Sequence, residues 1–373
     1  MKRIVLATLV VALFSGAAYA GALKLGSQSP LTGQYAADGN DIANGARTAV
    51  EVVKAEGGIK GFDDIILSPQ DDACDPRQAV AAANKLVNEK VSAVVGSYCS
   101  SSTIPASEVL DEAKILMITP ASTNEKVTER GFKYMYRTCG RDDDQSKAAV
   151  AFMKDFLKAK NVYVVDDKTS YSQGLADNVE AGATAAGIKV LGHEHVNQGD
   201  KDYSAVLTKV KEANPEVFYI SLQNSATGAL MVIQAKRMGI KAALMGQDAV
   251  YHPQLMEIAK ADAEGMYLTF GYTDENAPAY KKFLAAYSAK YGKPGAYSAY
   301  AYDSAMAYLM AVKAAGSADP DKVRAAMLKL DFDGASKHMK YKENGDSGSN
   351  YIIQKVAGDK FINFWNPETG KLY

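Results

Sequence analysis

Short apolar runs alternate along most of the chain with longer stretches in which apolar residues recur every three or four positions. The runs predict buried strands and the periodic stretches amphipathic helices. Leu23 to Ser27 reads as a strand. Asp41 to Glu56 reads as a helix, with Ile42, Ala46, Ala49, Val50 and Val53 on one face and Gly57-Gly58 as its stop. Strands follow at Ile65 to Leu67, Ala93 to Val95 and Ile115 to Ile118. Helices are expected from Pro76 to about Asn88 and from Ile104 to Ala113. Strands alternating with helices of about 10–15 residues predict βαβ units, hence a parallel sheet covered on both faces.

The pattern then begins again. Tyr134 to Thr138 is extended, and a helix runs from about Asp142 to Lys158, three Asp in its first turn suiting the helix dipole. Strands at Val162 to Val165, Val190 to His195, Val217 to Leu222 and Ala243 to Met245 alternate with helices at Gly174 to Ala186, Tyr203 to Ala213 and Thr227 to Met238. Tyr267 to Phe270 is a strand. Helices near 277–291, 297–315 and 320–330 and strands near 351–356 and 361–365 close the chain. This last stretch is too small for a third domain, so it must return to complete two similar α/β halves.

The first residues fall outside that pattern. Lys2 and Arg3, the eleven apolar residues Ile4 to Phe14, and Ala18-Tyr19-Ala20 form a secretory signal peptide cut after Ala20. Such a run is too short for a ~30 Å hydrocarbon core, which takes ~20 residues, and no later stretch is long enough. Gly21 rather than Cys follows the cut, so no lipid is expected there. Over 373 residues, 42 basic and 43 acidic side chains give a net charge of -1. No overall field attracts nucleic acid, and any partner must be recognised locally.

Export makes the three cysteines informative, because an oxidising compartment favours a bridge and leaves one over. Cys74, in Asp71-Asp72-Ala73-Cys74-Asp75-Pro76, and Cys99, in Gly96-Ser97-Tyr98-Cys99-Ser100, each follow a strand. Both fall at one edge of a parallel sheet, so Cys74–Cys99 is the expected disulfide. Cys139 follows an apolar run and is expected to be a buried free thiol.

Several chemical motifs fail on their context. No G-x-G-x-x-G follows a strand and no Walker sequence exists, so nucleotide binding lacks its phosphate cradle. Four His leave few parts for a metal cluster. His193-Glu194-His195 puts two imidazoles on one strand face, but without H-E-x-x-H spacing or an obvious third ligand; an exposed edge strand is the expectation. Gly345-Asp346-Ser347-Gly348 looks like a protease nucleophile turn, yet the fold is not a double β-barrel; a polar turn between lobes is expected. No metal, cofactor or catalytic residue is assigned. Two loops are more telling. Tyr98-Cys99-Ser100-Ser101-Ser102-Thr103 and Thr119-Pro120-Ala121-Ser122-Thr123 both follow strands, where open α/β sheets bind ligands. Hydroxyls beside a helix N-terminus suit a carboxylate without any Arg or Lys.

The run Asp71 to Pro76, the stretch Cys99 to Thr103 and the stretch Leu116 to Ala121 together resemble the periplasmic leucine/isoleucine/valine-binding proteins, type I solute receptors of ABC importers. The resemblance covers nearly the whole mature chain. It implies two Rossmann-like lobes with parallel sheets, joined by three crossovers near Gly140–Arg141, Gly271–Thr273 and Asp346–Asn350. Lobe one would be residues 21–140 with 272–346, and lobe two 141–271 with 347–373. It implies the same Cys74–Cys99 bridge, a periplasmic monomer, an amino acid clamped between the lobes, and a membrane permease as partner. It places the carboxylate grip on Ser100, Ala121 and Thr123, and the ammonium grip on Asp248 with Tyr171. Around the ligand side chain, Asp38, Gln223 and Tyr98 depart from the family's aromatic or aliphatic residues, and Tyr297 stands for an aromatic. These departures favour a polar or mixed preference over a strictly aliphatic one, with Asp38 either meeting the ligand or turning to the rim. Two other readings remain open here: a sensor for an amide or other small molecule, and a secreted hydrolase using Ser347 or one of Ser100 to Ser102.

Overall fold

The computed structural model describes residues 21–373; the expected signal peptide, residues 1–20, lies outside the described residues. The first sheet holds β1 (Leu23–Ser29), β2 (Ile65–Asp71), β3 (Ala93–Gly96), β4 (Leu116–Thr119) and β5 (Met135–Arg137). They lie in the order β2-β1-β3-β4-β5, all parallel. Helices α1 (Ala36–Ala55), α2 (Pro76–Asn88) and α3 (Ser100–Glu112) form the crossovers. β3 and β4 are buried throughout, as central strands covered on both faces must be. Pro69 is tolerated because β2 is an edge strand.

The second sheet repeats the scheme. α4 (Asp142–Ala151) leads to β6 (Asn161–Asp166), then α5 (Ser170–Ala185), β7 (Lys189–His195), α6 (Ser204–Ala213), β8 (Val217–Ser221), α7 (Ser225–Arg237), β9 (Ala243–Gly246), α8 (Pro253–Ala259) and β10 (Tyr267–Gly271). The chain then returns to the first lobe as α9 (Pro278–Tyr291), α10 (Ser298–Ala315) and α11 (Pro320–Met327). Nearly every side of α10 is apolar and buried, and it packs between α1 and the sheet strands β3 and β4. The hairpin β11 (Phe332–Asp333) and β12 (His338–Met339) precedes β13 (Tyr351–Ala357), β14 (Lys360–Asn366) and β15 (Lys371–Leu372). These last three add antiparallel strands beyond β10, giving the order β15-β14-β13-β10-β9-β8-β6-β7. Thus the tail completes the second sheet and α9 to α11 complete the first lobe. No helix of the described residues is long and apolar enough to cross a membrane.

The elements differ from expectation in several places, among them α5, which begins at Ser170 rather than Gly174, and α8, for which no helix was expected. α1 begins at Ala36 rather than Asp41, and α3 at Ser100 rather than Ile104, so polar residues read as loop form the first turns. The helix expected to continue to Lys158 leaves α geometry after Ala151 and ends in a π turn, Phe152–Phe156. There Phe152 stacks on Phe156 at 5.0 Å and packs on Tyr267; that aromatic contact accompanies the widened turn. β11, β12 and β15, two residues each, are too short to leave a periodicity in the sequence.

Candidate functional site between the lobes

The carboxyl ends of β3 and β4 in one sheet, and of β6, β8 and β9 in the other, carry the loops that meet across the cleft. Their polar side chains follow from sheet topology, since a strand end is where the chain can leave the core without orphaning its backbone.

On the first lobe, Ser100 opens α3 directly after Cys99, whose disulfide to Cys74 spans a Cα–Cα distance of 5.6 Å. The Ser100 hydroxyl accepts the N–H of Asn124 at 3.4 Å. The second loop is held from below. Thr119 Oγ1 accepts the N–H groups of Ala121 and Ser122 at 3.3 and 3.0 Å, and Ser122 Oγ shares a hydrogen bond with Thr103 at 2.7 Å. That leaves the Thr123 hydroxyl buried with no hydrogen-bond partner among the described residues.

On the second lobe, Asp248 starts a 3-10 turn after β9. Its Oδ1 accepts from the Tyr171 hydroxyl and, at 2.8 Å, from Gln145 Nε2. Gln247 Oε1 lies 2.7 Å from the same Tyr171 hydroxyl, so two acceptors compete for its one proton. Burial pushes the Asp248 carboxyl above its ordinary value, while those two donors act in the opposite direction. A cationic group arriving beside it would be compensated in the same low-dielectric space.

A cavity of only about 10 Å³ lies between the lobes, lined by Tyr98, Ser100, Ala121, Tyr171, Gln223, Asp248, Ala249 and Tyr297. Drug-sized clefts run to ~300–1,000 Å³, so the closed lobes leave almost no free space between these residues. Tyr98 and Tyr297 meet edge to face at 5.3 Å. The Tyr98 hydroxyl and Gln223 Oε1 are buried without partners among the described residues. Seven of the nine residues singled out in the sequence thus share one cavity. Thr123, two residues after Ala121, is buried and does not line it. Asp38, half-buried in the first turn of α1, lines an adjoining cavity with Asp41, Asn44, His252 and Tyr287. Burial and the nearby Asp41 push Asp38 up to about 7. Asp41 is consumed by structure, accepting from Tyr287 Oη and the N–H groups of Gly295 and Tyr297 at 2.9–3.0 Å.

Sequence reasoning missed Gln145, Asp142 and Ala249. Gln145 Nε2 bridges Asp248 and Thr269 Oγ1 at 2.8 Å each. Asp142 is fully buried, neither oxygen has a partner among the described residues, and burial followed by the proximity of Asp248 holds it well above the usual carboxylate range. The three-Asp first turn of α4 masked it, because all three suit the helix dipole and only Asp142 is fully buried.

The two loops are tied to the connecting strands. Arg137, fully buried, donates to the carbonyls of Thr123 and Asn124 at 2.8 and 2.7 Å and to Asp346 Oδ1 through both Nε and Nη2. Arg141 donates to the other oxygen of Asp346 at 3.0 Å. The protease-like turn is therefore part of a connection between sheets, and Ser347 Oγ donates to the Thr138 carbonyl at 2.9 Å. Direct bonds also cross the cleft: Asn124 Nδ2 to the Ser170 carbonyl, Asn224 Nδ2 to the Gln34 carbonyl, and Gln198 to Tyr35. The lobes are closed on each other.

Comparison with known proteins agrees with this architecture. A family model described as "Periplasmic binding protein" matches residues 22–360. A leucine-, isoleucine-, valine-, threonine- and alanine-binding protein of Pseudomonas aeruginosa is 36% identical, over 93% of this chain and 92% of its own length. An amino acid binding protein of the same organism is 42% identical over 80% of each chain. The crystal structure of a leucine-binding protein from Thermotoga maritima superposes with a TM-score of 0.87 at 31% identity, covering 93% of this chain and 99% of that one. By fold and by these matches, the chain belongs to the periplasmic binding protein family, in its leucine/isoleucine/valine-binding group of amino-acid receptors for ABC transporters, which bind rather than catalyse.

Proposed function

We propose that this protein captures one free amino acid between its lobes in the periplasm, as a monomer, and presents the closed form to an ABC permease. The observation that carries the reading is the pairing across one small cavity of a hydroxyl-lined helix start with a buried carboxylate. Ser100, the Ala121 backbone and Thr123 would grip the α-carboxylate, and Asp248 with Tyr171 the α-ammonium. Charge-assisted bonds of this kind are roughly twice as strong as neutral ones. The division into residues 21–140 with 272–346 and 141–271 with 347–373 belongs to the same proposal, and is supported by the passage from β5 to the second sheet, the return of α9 and α10 to pack on α1, and the final passage to β13 in the second sheet. The membrane partner is proposed from the family.

For the side chain, Tyr98, Tyr297 and Gln223 supply a wall of mixed character. The unpartnered Gln223 Oε1 and Tyr98 hydroxyl suit a ligand hydroxyl, whereas the rings suit an aliphatic group. We therefore favour a mixed preference, and the Pseudomonas relative whose name includes both leucine and threonine supports it. Asp38, beside the cavity rather than in its wall, would act on the ligand indirectly. A thermal-shift screen of the twenty amino acids on unfolded-and-refolded protein tests the reading. Stabilisation by a subset that includes small or branched side chains is expected; no shift from any of them would refute it.

A further inference from the structure

The outer edge of the second sheet holds a cluster that the amino-acid cavity does not use. His193 and His195 are two residues apart on β7 and so point to the same face. Asp166, the last residue of β6, is the register partner of His195. His193 Nε2 lies 2.7 Å and His195 Nδ1 2.6 Å from the same oxygen, Asp166 Oδ2. Asp166 is fully buried, and its other oxygen accepts the N–H of Lys168 at 2.8 Å, which fixes the carboxylate. The far nitrogen of His193, Nδ1, lies 2.6 Å from Glu180 Oε2 on α5, with Asp177 Oδ1 at 4.0 Å. The His193 side chain is 9% exposed and that of His195 41%, so the cluster is closed on one side and reaches solvent on the other.

We propose that Asp166, His193 and His195 form a binding site for a divalent cation of the zinc type. The three donor atoms converge from two adjacent strands, and two imidazoles with one carboxylate are a donor set that zinc accepts with its fourth position left to water. Magnesium and calcium prefer oxygen ligands throughout. Metal–ligand bonds of ~2.0–2.2 Å in a tetrahedral array put donors about 3.3 Å apart. The present 2.6–2.7 Å separations are those of N–H groups donating to Oδ2. Cation entry would release the Nε2 proton of His193 to solvent and leave the proton of His195 on its other nitrogen, Nε2, so that both rings bind as neutral imidazoles, and the donors would move apart by well under an ångström. Glu180 would keep the Nδ1–H of His193, fixing the ring with Nε2 toward the metal, as carboxylates behind metal-bound histidines commonly do. The bound ion would clip the edge strand β7 to β6. The sequence offered only the His pair; the third ligand sits 27 residues before His193 and is brought in by strand pairing.

Calorimetric titration of the EDTA-treated mature protein with zinc chloride tests this. One zinc per chain is expected, with no comparable heat from magnesium or calcium chloride. His195→Ala, at a partly exposed position, and His193→Gln should each weaken zinc binding at least tenfold and leave the amino-acid thermal shift in place. His338→Ala, which alters the exposed imidazole beside Asp331 and Asp333, should bind zinc like the wild type. The proposal is overturned if the wild type takes up no zinc, if both cluster variants bind it unchanged, or if His338→Ala is the variant that loses it.

Discussion

Asp248 bears the most specific prediction at the scale of single residues. Asp248→Asn keeps the shape but would leave a bound ammonium without its counter-charge. It should weaken amino-acid binding by about 2–5 kcal/mol in calorimetry, since much of that is the penalty of a buried unpaired charge. Ser100→Ala should cost less, about 1–3 kcal/mol, because the helix N–H groups remain. Gln223→Leu replaces the polar part of the side-chain wall and should move the ranking from threonine toward leucine. Asp38→Asn should move it less, because Asp38 lines the adjoining cavity. A larger effect from Asp38→Asn than from Gln223→Leu would place the specificity determinant wrongly. The hydroxyl loops were legible in the sequence because clustered Ser and Thr after a strand have few other uses. Asp142 and Gln145 were not, because an acid or amide in a first helical turn is ordinary until its burial is known.

Among the elements, the alternation of strand and helix was readable nearly end to end. Misplaced boundaries were polar first turns and the π turn, where local propensity is weak and packing decides. The loop ends carrying Cys74 and Cys99 were correctly paired from their place at one sheet edge. Closing a loop of 25 residues is worth about 3 kcal/mol in the chain-entropy view. Reductant should therefore lower the melting temperature, whereas Cys139→Ser should leave the reductant effect intact. Burial pushes the Cys139 thiol up to about 12, so in the folded protein it should resist alkylation at neutral pH. Thiol counting after denaturation without reductant should find one thiol; three would contradict the bridge.

For the whole molecule, the ion pairs and hydrogen bonds that tie the lobes and close the cleft are what the sequence could least convey, since they join distant segments, and the crossovers themselves were expected only through the family resemblance. Asp346 is held by Arg137 and Arg141, and although burial alone would raise it, the two guanidinium groups keep its carboxyl below the usual range. Its stabilisation is thus present above the ordinary carboxylate value of ~3.9 and disappears as pH falls through the depressed folded value. Asp346→Asn should cost about 3–5 kcal/mol at neutral pH by leaving buried arginine unpaired. The gap to wild type should narrow as the pH drops below ~4; a gap independent of pH would show that the charge is not what matters. Closure has its own probe. A side chain at Gly174 on α5 would meet Asn124 Nδ2 across the cleft, at 2.6 Å from the added Cβ. Gly174→Leu should leave the ligand-free protein at least as stable, the helix gaining from the loss of glycine. It should weaken ligand binding by roughly tenfold if the closed population falls by that factor.

The central claim is that both charged ends of an amino acid are held between the lobes. Calorimetry on the amino acid giving the largest thermal shift, compared with its deaminated and decarboxylated analogues, tests it most directly. Each analogue leaves one half of the grip unused, so each should bind at least about 30-fold more weakly. Equal binding of the amino acid and its deaminated analogue would contradict the account.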